Sequence, residues 1–124
     1  MTKSNCPRAA ERLERIALLR KQTRLMRACA GGKDDGELAC QCEKRDRQLE
    51  ALKNDTLRLI RKMPSPALAL LIEMVFVFGV DRDVLTAGLG LSRSGFRARF
   101  SRAMHELEDV MEKAESEAAH EAVH

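Results

Sequence analysis

The stretch that decides the fold is "LGLSRSGFRARFSRAM", residues 89–104, which contains four arginines, no acidic residue and several small residues. At about 100° per residue, a helix over Ser92–Met104 separates an apolar face from a face of small residues, with an arginine on each flank of the small face. The apolar face contains Phe96, Phe100 and Ala103, and the small face contains Ser94, Ala98 and Ser101. The two flanking arginines are Arg97 and Arg102. Small side chains let the backbone approach base edges, so the pattern predicts a helix that enters a DNA major groove. A solvated cationic face without a ligand is the alternative interpretation.

The residues before this helix predict a shorter helix and a tight turn. Asp81 is a suitable N-cap for the short helix, and Gly90 is expected to end it. Ser92 is expected to cap the next helix. The order is therefore helix, glycine turn, helix. The apolar residues expected to point inward from the short helix are Val84, Leu85 and Leu89. The stripe expected to be buried by the second helix is Phe96, Phe100, Ala103, Leu107 and Val110.

A nearly uninterrupted apolar helix is predicted upstream, in "MPSPALALLIEMVFVFGV", residues 63–80. Ser65 is the expected N-cap, and Pro66 suits the first helical position because its missing N–H costs nothing there. Only Glu73 interrupts the apolar surface, so we expect this helix to be buried on all sides, between its neighbours or inside a dimer. Two short strands within residues 74–80 are the alternative.

The amino-terminal half predicts two amphipathic helices, about 8–30 and 36–63, because apolar residues alternate there at spacings of three and four. Between them, Gly31 and Gly32 suit a helix end, and Asp34 with Glu37 has the spacing of a capping box. A short connection favours an antiparallel hairpin. We therefore expect an all-α chain with a basic hairpin at 1–63, a DNA-binding unit at 64–112 and an acidic, disordered tail at 113–124.

Charge is distributed unevenly although the net charge is only +3. Residues 1–62 carry 16 Lys and Arg against 9 Asp and Glu, whereas residues 112–124 carry 1 against 4. This asymmetry favours a polyanionic or acidic partner for the front of the chain. No segment resembles a signal peptide, and the longest apolar run is too short to cross a bilayer, so we expect a cytoplasmic protein without a membrane partner.

A resemblance to a known family rests on "GVDRDVLTAGLGLSRSGFRARFSRAMHEL", residues 79–107. This segment resembles the fourth conserved region of bacterial sigma factors, and the whole layout resembles small phage transcriptional regulators of the RinA and ArpU kind. The resemblance implies binding to double-stranded DNA near promoters and contact with RNA polymerase. It implies base contacts by Arg93, Ser94 and Arg97, and phosphate contacts by Ser92, Arg99 and Arg102. The sequence departs from the family pattern in two places. Gly88 stands where the family usually has a larger helix-forming residue, and the helix before the motif is unusually apolar, which favours a homodimer or an extra buried face.

Other candidate sites are weaker. The four cysteines, Cys6, Cys29, Cys40 and Cys42, lack zinc-site spacing and have no histidine among them, so we expect free thiols and no metal. A bond between Cys29 and Cys40 would be an oxidation product. Glu73 is expected to meet an arginine or solvent, and His105 to point outward, within reach of a phosphate. No enzyme motif is present, and no cofactor is expected.

Three functions remain open on the sequence. The first is a DNA-binding transcription regulator whose hairpin serves dimerisation or contact with RNA polymerase. The second is an interaction protein, an antiterminator or anti-activator, that binds RNA polymerase or another regulator. The third is a small terminase subunit that assembles as a ring.

Overall fold

The computed structural model describes residues 5–30 and 36–123, and this part of the chain is helical with no β-strand. The prediction of an all-α chain is confirmed for these residues, and the two-strand alternative for residues 74–80 is wrong. The helix end predicted at Gly31 and Gly32 and the cap predicted at Asp34 lie outside the described residues. The helices are α1 (Pro7–Ala30), α2 (Gly36–Ile60), α3 (Pro66–Ile72) with a π-helical turn (Glu73–Val77), α4 (Arg82–Gly88) and α5 (Arg93–Val123).

Helix α2 ends three residues before the predicted limit of 63. The N–H groups of Lys62 and Met63 donate to the carbonyls three residues earlier, at 3.1 and 3.0 Å, which tightens the chain out of α geometry. Pro64 explains the position of this end, because a proline disfavours the α conformation of the residue before it. The chain then enters α3 at Pro66, as the sequence predicts.

One aliphatic core joins α1, α2, α3 and α5. It contains residues of the predicted hairpin, 1–63, and residues of the chain that follows it. Its large side chains with almost no solvent exposure are Leu13, Ile16, Ile60, Ile72 and Leu107. Burying each of these contributes about 1.5 to 3 kcal/mol relative to leaving it exposed. The two buried threonines, Thr23 and Thr56, donate their hydroxyls to the carbonyls of Leu19 and Leu52, so their polar groups are satisfied inside their own helices.

Two carboxylates of α5 hold the beginnings of other helices. Glu108, only 4% exposed, accepts the backbone N–H groups of Arg8 at 2.8 Å and Ala9 at 3.0 Å, in the first turn of α1. The Arg8 guanidinium donates to the other oxygen of the same carboxylate at 3.1 Å. Glu106 accepts the backbone N–H of Ser65, just before α3, at 3.1 Å. Helix starts carry unpaired N–H groups, so α5 supplies two of the missing acceptors.

The end of the π-helical turn is held by an arginine from α1. Arg20 Nη2 donates to the carbonyls of Phe76 at 2.7 Å and Val77 at 2.8 Å. Burial lowers the pKa of this guanidinium, and the charge of Arg24 lowers it further. Gly79 follows with φ +70°, a conformation that favours glycine, and a Cβ at that position would lie 3.0 Å from Arg20 Nη1, so a larger residue would also displace the Arg20 guanidinium.

Several residues expected to be buried are exposed. Leu70 and Phe78 are 56% and 65% exposed, so the apolar segment is not buried on all sides. In α4, Val84 is 65% and Leu89 49% exposed, and only Leu85 packs against a core cluster. The reason is that α4 has seven residues and packs through one side, while Leu89 already belongs to the turn.

The acidic tail also differs from the prediction, because α5 continues as a helix to Val123. Alanine and glutamate, which are abundant after Lys113, are strong helix formers. Arg8 Nε also donates to Glu115 Oε2 at 2.6 Å, which ties the start of this segment to α1. None of the helices in the described part of the chain has both the length and the apolar character needed to cross a bilayer.

We expect Glu108→Ala to lower the free energy of unfolding by about 2 to 4 kcal/mol, because it leaves two backbone donors of α1 without their acceptor. Glu112→Gln is the matched control, since Glu112 is exposed and contacts the same Arg8 at 3.5 Å. Exposed ion pairs contribute little. Urea unfolding followed by circular dichroism measures both. Equal losses for the two variants would contradict the role of Glu108 as a cap.

Two glycines near the end of α4 should respond oppositely to alanine. A Cβ at Gly88 would meet nothing within 4 Å, so Gly88→Ala should stabilise the protein by up to about 1 kcal/mol through helix propensity. Gly90 has φ +68°, so Gly90→Ala should destabilise it by about 1 to 2 kcal/mol. Thermal unfolding of both variants checks this. Two shifts of the same sign would contradict the left-handed conformation of Gly90.

Candidate nucleic-acid interface

The turn between α4 and α5 is built by local hydrogen bonds that the sequence signals predict. Asp81 caps α4 by accepting the N–H of Asp83 at 2.7 Å. At the other end, Gly90 N donates to Ala87 O and the next N–H, that of Leu91, donates to Thr86 O, both at 3.1 Å. This is the Schellman pattern, and the left-handed residue in it is Gly90. The predicted roles of Asp81 and Gly90 are confirmed.

The start of α5 is capped by Ser92, as predicted, because its Oγ accepts the N–H of Gly95 at 3.0 Å. The Oγ atoms of Ser92 and Ser94 lie 3.2 Å apart. Gly95 leaves room for this cap, since a Cβ there would lie 3.1 Å from Ser92 Oγ. The first turn of α5 contains no acidic residue, so the positive end of the helix dipole is not neutralised locally.

Aromatic packing fixes the rotation of α5 about its axis. Phe96 is buried and lies in a cluster with Leu71 and Val75 of the preceding helical segment. Phe100 is half-buried, with its ring centroid 6.0 Å from that of Phe96 and 5.6 Å from that of Phe76. Because both rings point inward, the opposite face of the helix must point to solvent.

The six residues expected to contact DNA are all exposed: Ser92, Arg93, Ser94, Arg97, Arg99 and Arg102. Ala98 and Ser101, which form the small face with Ser94, are exposed as well. Within residues 5–30 and 36–123, none of the four arginines of this group forms an ion pair with an acid. Their charge is therefore available to a partner.

The arginines do not form one cluster. Arg93 and Arg97, four residues apart, border a groove of about 320 Å3 between α4 and α5, which we call the α4–α5 groove. Arg99 and Arg102 lie on the other side of the small face from Arg93 and Arg97, and neither lines this groove. The exposed face therefore presents positive charge along both of its edges.

A further arginine of this region, Arg82 of α4, is absent from the residues that the sequence singles out. It lines the α4–α5 groove, and its guanidinium carbon lies 4.7 Å from the Phe100 ring centroid and 5.8 Å from that of Phe76. The sequence gives no signal for it, because Arg82 stands between Asp81 and Asp83 and resembles an ordinary surface charge. Only the packing of α4 on α5 brings it beside Arg93 and Arg97.

The cysteines do not form a cluster of metal ligands in the described residues, and Cys29, Cys40 and Cys42 are free thiols. Cys29 and Cys40 are exposed, whereas Cys6 and Cys42 are buried. Cys6 Sγ lies 3.4 Å from Nδ1 of His105, which is itself exposed. Burial raises the pKa of the Cys6 thiol, and the charges of Glu108 and Asp109 raise it further, so the thiolate is disfavoured.

Comparisons of the chain with models of protein families, with curated proteins and with solved structures find no match. The resemblance of residues 79–107 to sigma-factor region four therefore stays a prediction. What this surface can do follows from its own geometry and charge.

We expect iodoacetamide to alkylate Cys29 and Cys40 rapidly in the folded protein at neutral pH, and Cys6 only after unfolding. Exposure gives the first pair access, while burial and nearby acids keep Cys6 protonated. Peptide mass spectrometry over time, with a urea-unfolded sample as the control, measures the order. Early labelling of Cys6 would contradict its burial in the core.

Proposed function

We propose that the protein is a sequence-specific DNA-binding transcription regulator of phage or prophage type. In this proposal α4, the Gly90 turn and α5 form a helix-turn-helix resembling sigma-factor region four, and α5 enters the major groove. The observation that carries the proposal is the exposed face of α5 over residues 93–104, which contains no acid and in which small residues lie between arginines. A major groove requires both features, since the backbone must come close to the bases and the flanks must meet phosphates.

The residue roles follow from position on α5. Arg93, Ser94 and Arg97, near the start of the helix, are proposed to face base edges. Ser92, Arg99 and Arg102 are proposed to contact phosphates. Arginine suits both tasks because its planar fork can bind guanine or a phosphate through two N–H groups.

The amino-terminal helices have a supporting role in this proposal. Arg27 of α1 forms an ion pair with Asp46 of α2, and Arg45 of α2 donates to Gln22 Oε1 of α1 at 3.2 Å. We propose that α1 and α2 form an antiparallel hairpin that supports the DNA-binding helices and pairs two copies of the chain. A dimer would place two recognition helices on one duplex, as two-fold symmetric operators require.

A second candidate function, binding to RNA polymerase or another regulator, is favoured by a different observation. Phe78, Val84 and Leu89, in and around α4, leave large apolar side chains exposed. Apolar exposure of this kind is more typical of a protein contact than of a DNA contact. The two functions are compatible, because a promoter-bound regulator can present α4 to polymerase.

The test is fluorescence anisotropy with labelled genomic fragments and random duplexes over a series of salt concentrations, with the mass of the complex measured alongside. A DNA-binding regulator should prefer some fragments, and its affinity should fall steeply with salt, by about 0.9 in log–log slope per phosphate contact. Absence of binding at low salt would overturn the proposal and favour the protein-partner function, which a pull-down with purified RNA polymerase then tests.

Substitutions on the two edges of α5 should have different effects. Arg97→Ala should weaken binding to a preferred fragment by about 1 to 3 kcal/mol while changing random-duplex binding less, because a base contact is lost. Arg102→Ala should weaken binding to all sequences alike and reduce the salt slope by about 0.9. Arg47→Ala, on the exposed surface of α2, is the control. Equal, small losses for Arg97→Ala and Arg102→Ala on both kinds of DNA would contradict these roles.

A further inference from the structure

We propose that the α4–α5 groove binds one backbone phosphate of duplex DNA together with its deoxyribose, and that Arg82 is a phosphate ligand in it. This inference rests on the proposed function and adds a residue and a subsite to it.

The groove has the composition that a sugar–phosphate unit needs. Arg82, Arg93 and Arg97 line it, and the rings of Phe96 and Phe100 form its apolar part. Among the described residues that line it, one acid, Asp83, opposes this charge. The three charges together favour an anion in this volume of about 320 Å3, with Arg82 as its direct ligand and with Arg93 and Arg97, at the border of the groove, left to reach the bases.

Arg82 is held in place before any ligand binds. Its guanidinium lies over the Phe100 ring at 4.7 Å and near Phe76 at 5.8 Å, in the geometry of a cation–π contact. Stacking uses the face of the planar group and leaves the N–H donors on its edge for an oxygen acceptor. Within the described part of the chain, Arg82 forms no ion pair with an acid. A side chain that is already ordered loses less conformational entropy on binding.

Two acids flank Arg82 in the sequence, and one of them lines the groove. The Asp81 carboxylate accepts the N–H of Asp83 at 2.7 Å, so it is engaged in the cap of α4. Asp83 is exposed and is the remaining negative charge at the groove. A phosphodiester carries one negative charge, and an apolar surface beside the charges suits the sugar that joins two phosphates. The bases of a duplex are stacked and paired, so the backbone is the part of DNA that can enter.

The experiment compares variants of the full-length protein by fluorescence anisotropy on one random duplex and one preferred genomic fragment over a salt series. Arg82→Gln should weaken binding to both duplexes by about fivefold and lower the salt slope by about 0.9. Arg82→Lys should keep the slope, since the charge remains, while losing part of the affinity. Asp83→Asn should raise affinity for both duplexes about twofold, because the opposing charge is removed.

Two controls separate the groove from general effects. Arg47→Gln removes an equally charged, exposed arginine from α2 and should leave slope and affinity unchanged. Phe100→Leu removes the ring under Arg82 but no charge, so it should weaken binding without changing the slope. Circular dichroism and the midpoint of thermal unfolding establish that each variant is folded. A competition with inorganic phosphate distinguishes a free-anion site from a DNA subsite, because a free-anion site would release DNA at millimolar phosphate at constant ionic strength.

The failures are distinguishable. If the unmodified protein binds no DNA at low salt, the proposed function fails, and the groove inference fails with it. If the unmodified protein binds and Arg82→Gln keeps the slope and affinity of Arg47→Gln, only the groove inference is overturned. Loss of preference between the two duplexes in Arg82→Gln would show that Arg82 reads bases and would overturn its role as a phosphate ligand.

Discussion

The arrangement of the helices depends on the buried carboxylate of Glu108. It accepts two backbone N–H groups in the first turn of α1 and one guanidinium N–H of Arg8, so one side chain of α5 satisfies donors that α1 cannot satisfy itself. A buried carboxylate is stable only with such partners. Because Leu107 of the same helix turn lies in the shared core, this polar contact and the apolar packing fix the same approach of α5 to α1.

The middle of α1 holds the carboxyl-terminal end of another helical segment. Arg20 donates to the last carbonyls of the π-helical turn. Gly79 has no Cβ and so leaves room for the Arg20 guanidinium. The direction in which the chain leaves for α4 is therefore set by an arginine far away in sequence. Glu106 and Glu108 hold the middle of α5, and the turns before them pack Phe96 on the second core cluster and expose their arginines.

The contrast between the two halves of α5 explains why the first half is the candidate site. From Glu106 onward, four acids of α5 contact α1 or the chain before α3: Glu106, Glu108, Glu112 and Glu115. In the first half, four arginines have no acidic partner in the described residues, and the aromatic side chains face inward. Folding alone does not require unpaired charge of one sign on such a face, whereas a polyanion does. Val84 of α4 and Leu89 of the following turn are exposed and leave an apolar surface suited to a second contact.

The sequence by itself determined the features that are set within a few residues. Asp81, Gly90 and Ser92 mark helix ends because each makes its hydrogen bonds or adopts its backbone conformation locally, and the spacing of Phe96 and Phe100 fixes which side of α5 is apolar. The exposed arginine face follows from that spacing. Tertiary structure alone decided that Glu108 caps α1, that Arg82 joins Arg93 and Arg97, and that Val84 and Leu89 stay exposed. These depend on which helix lies beside which, and a local pattern of residues carries no information about partners that are distant in the chain.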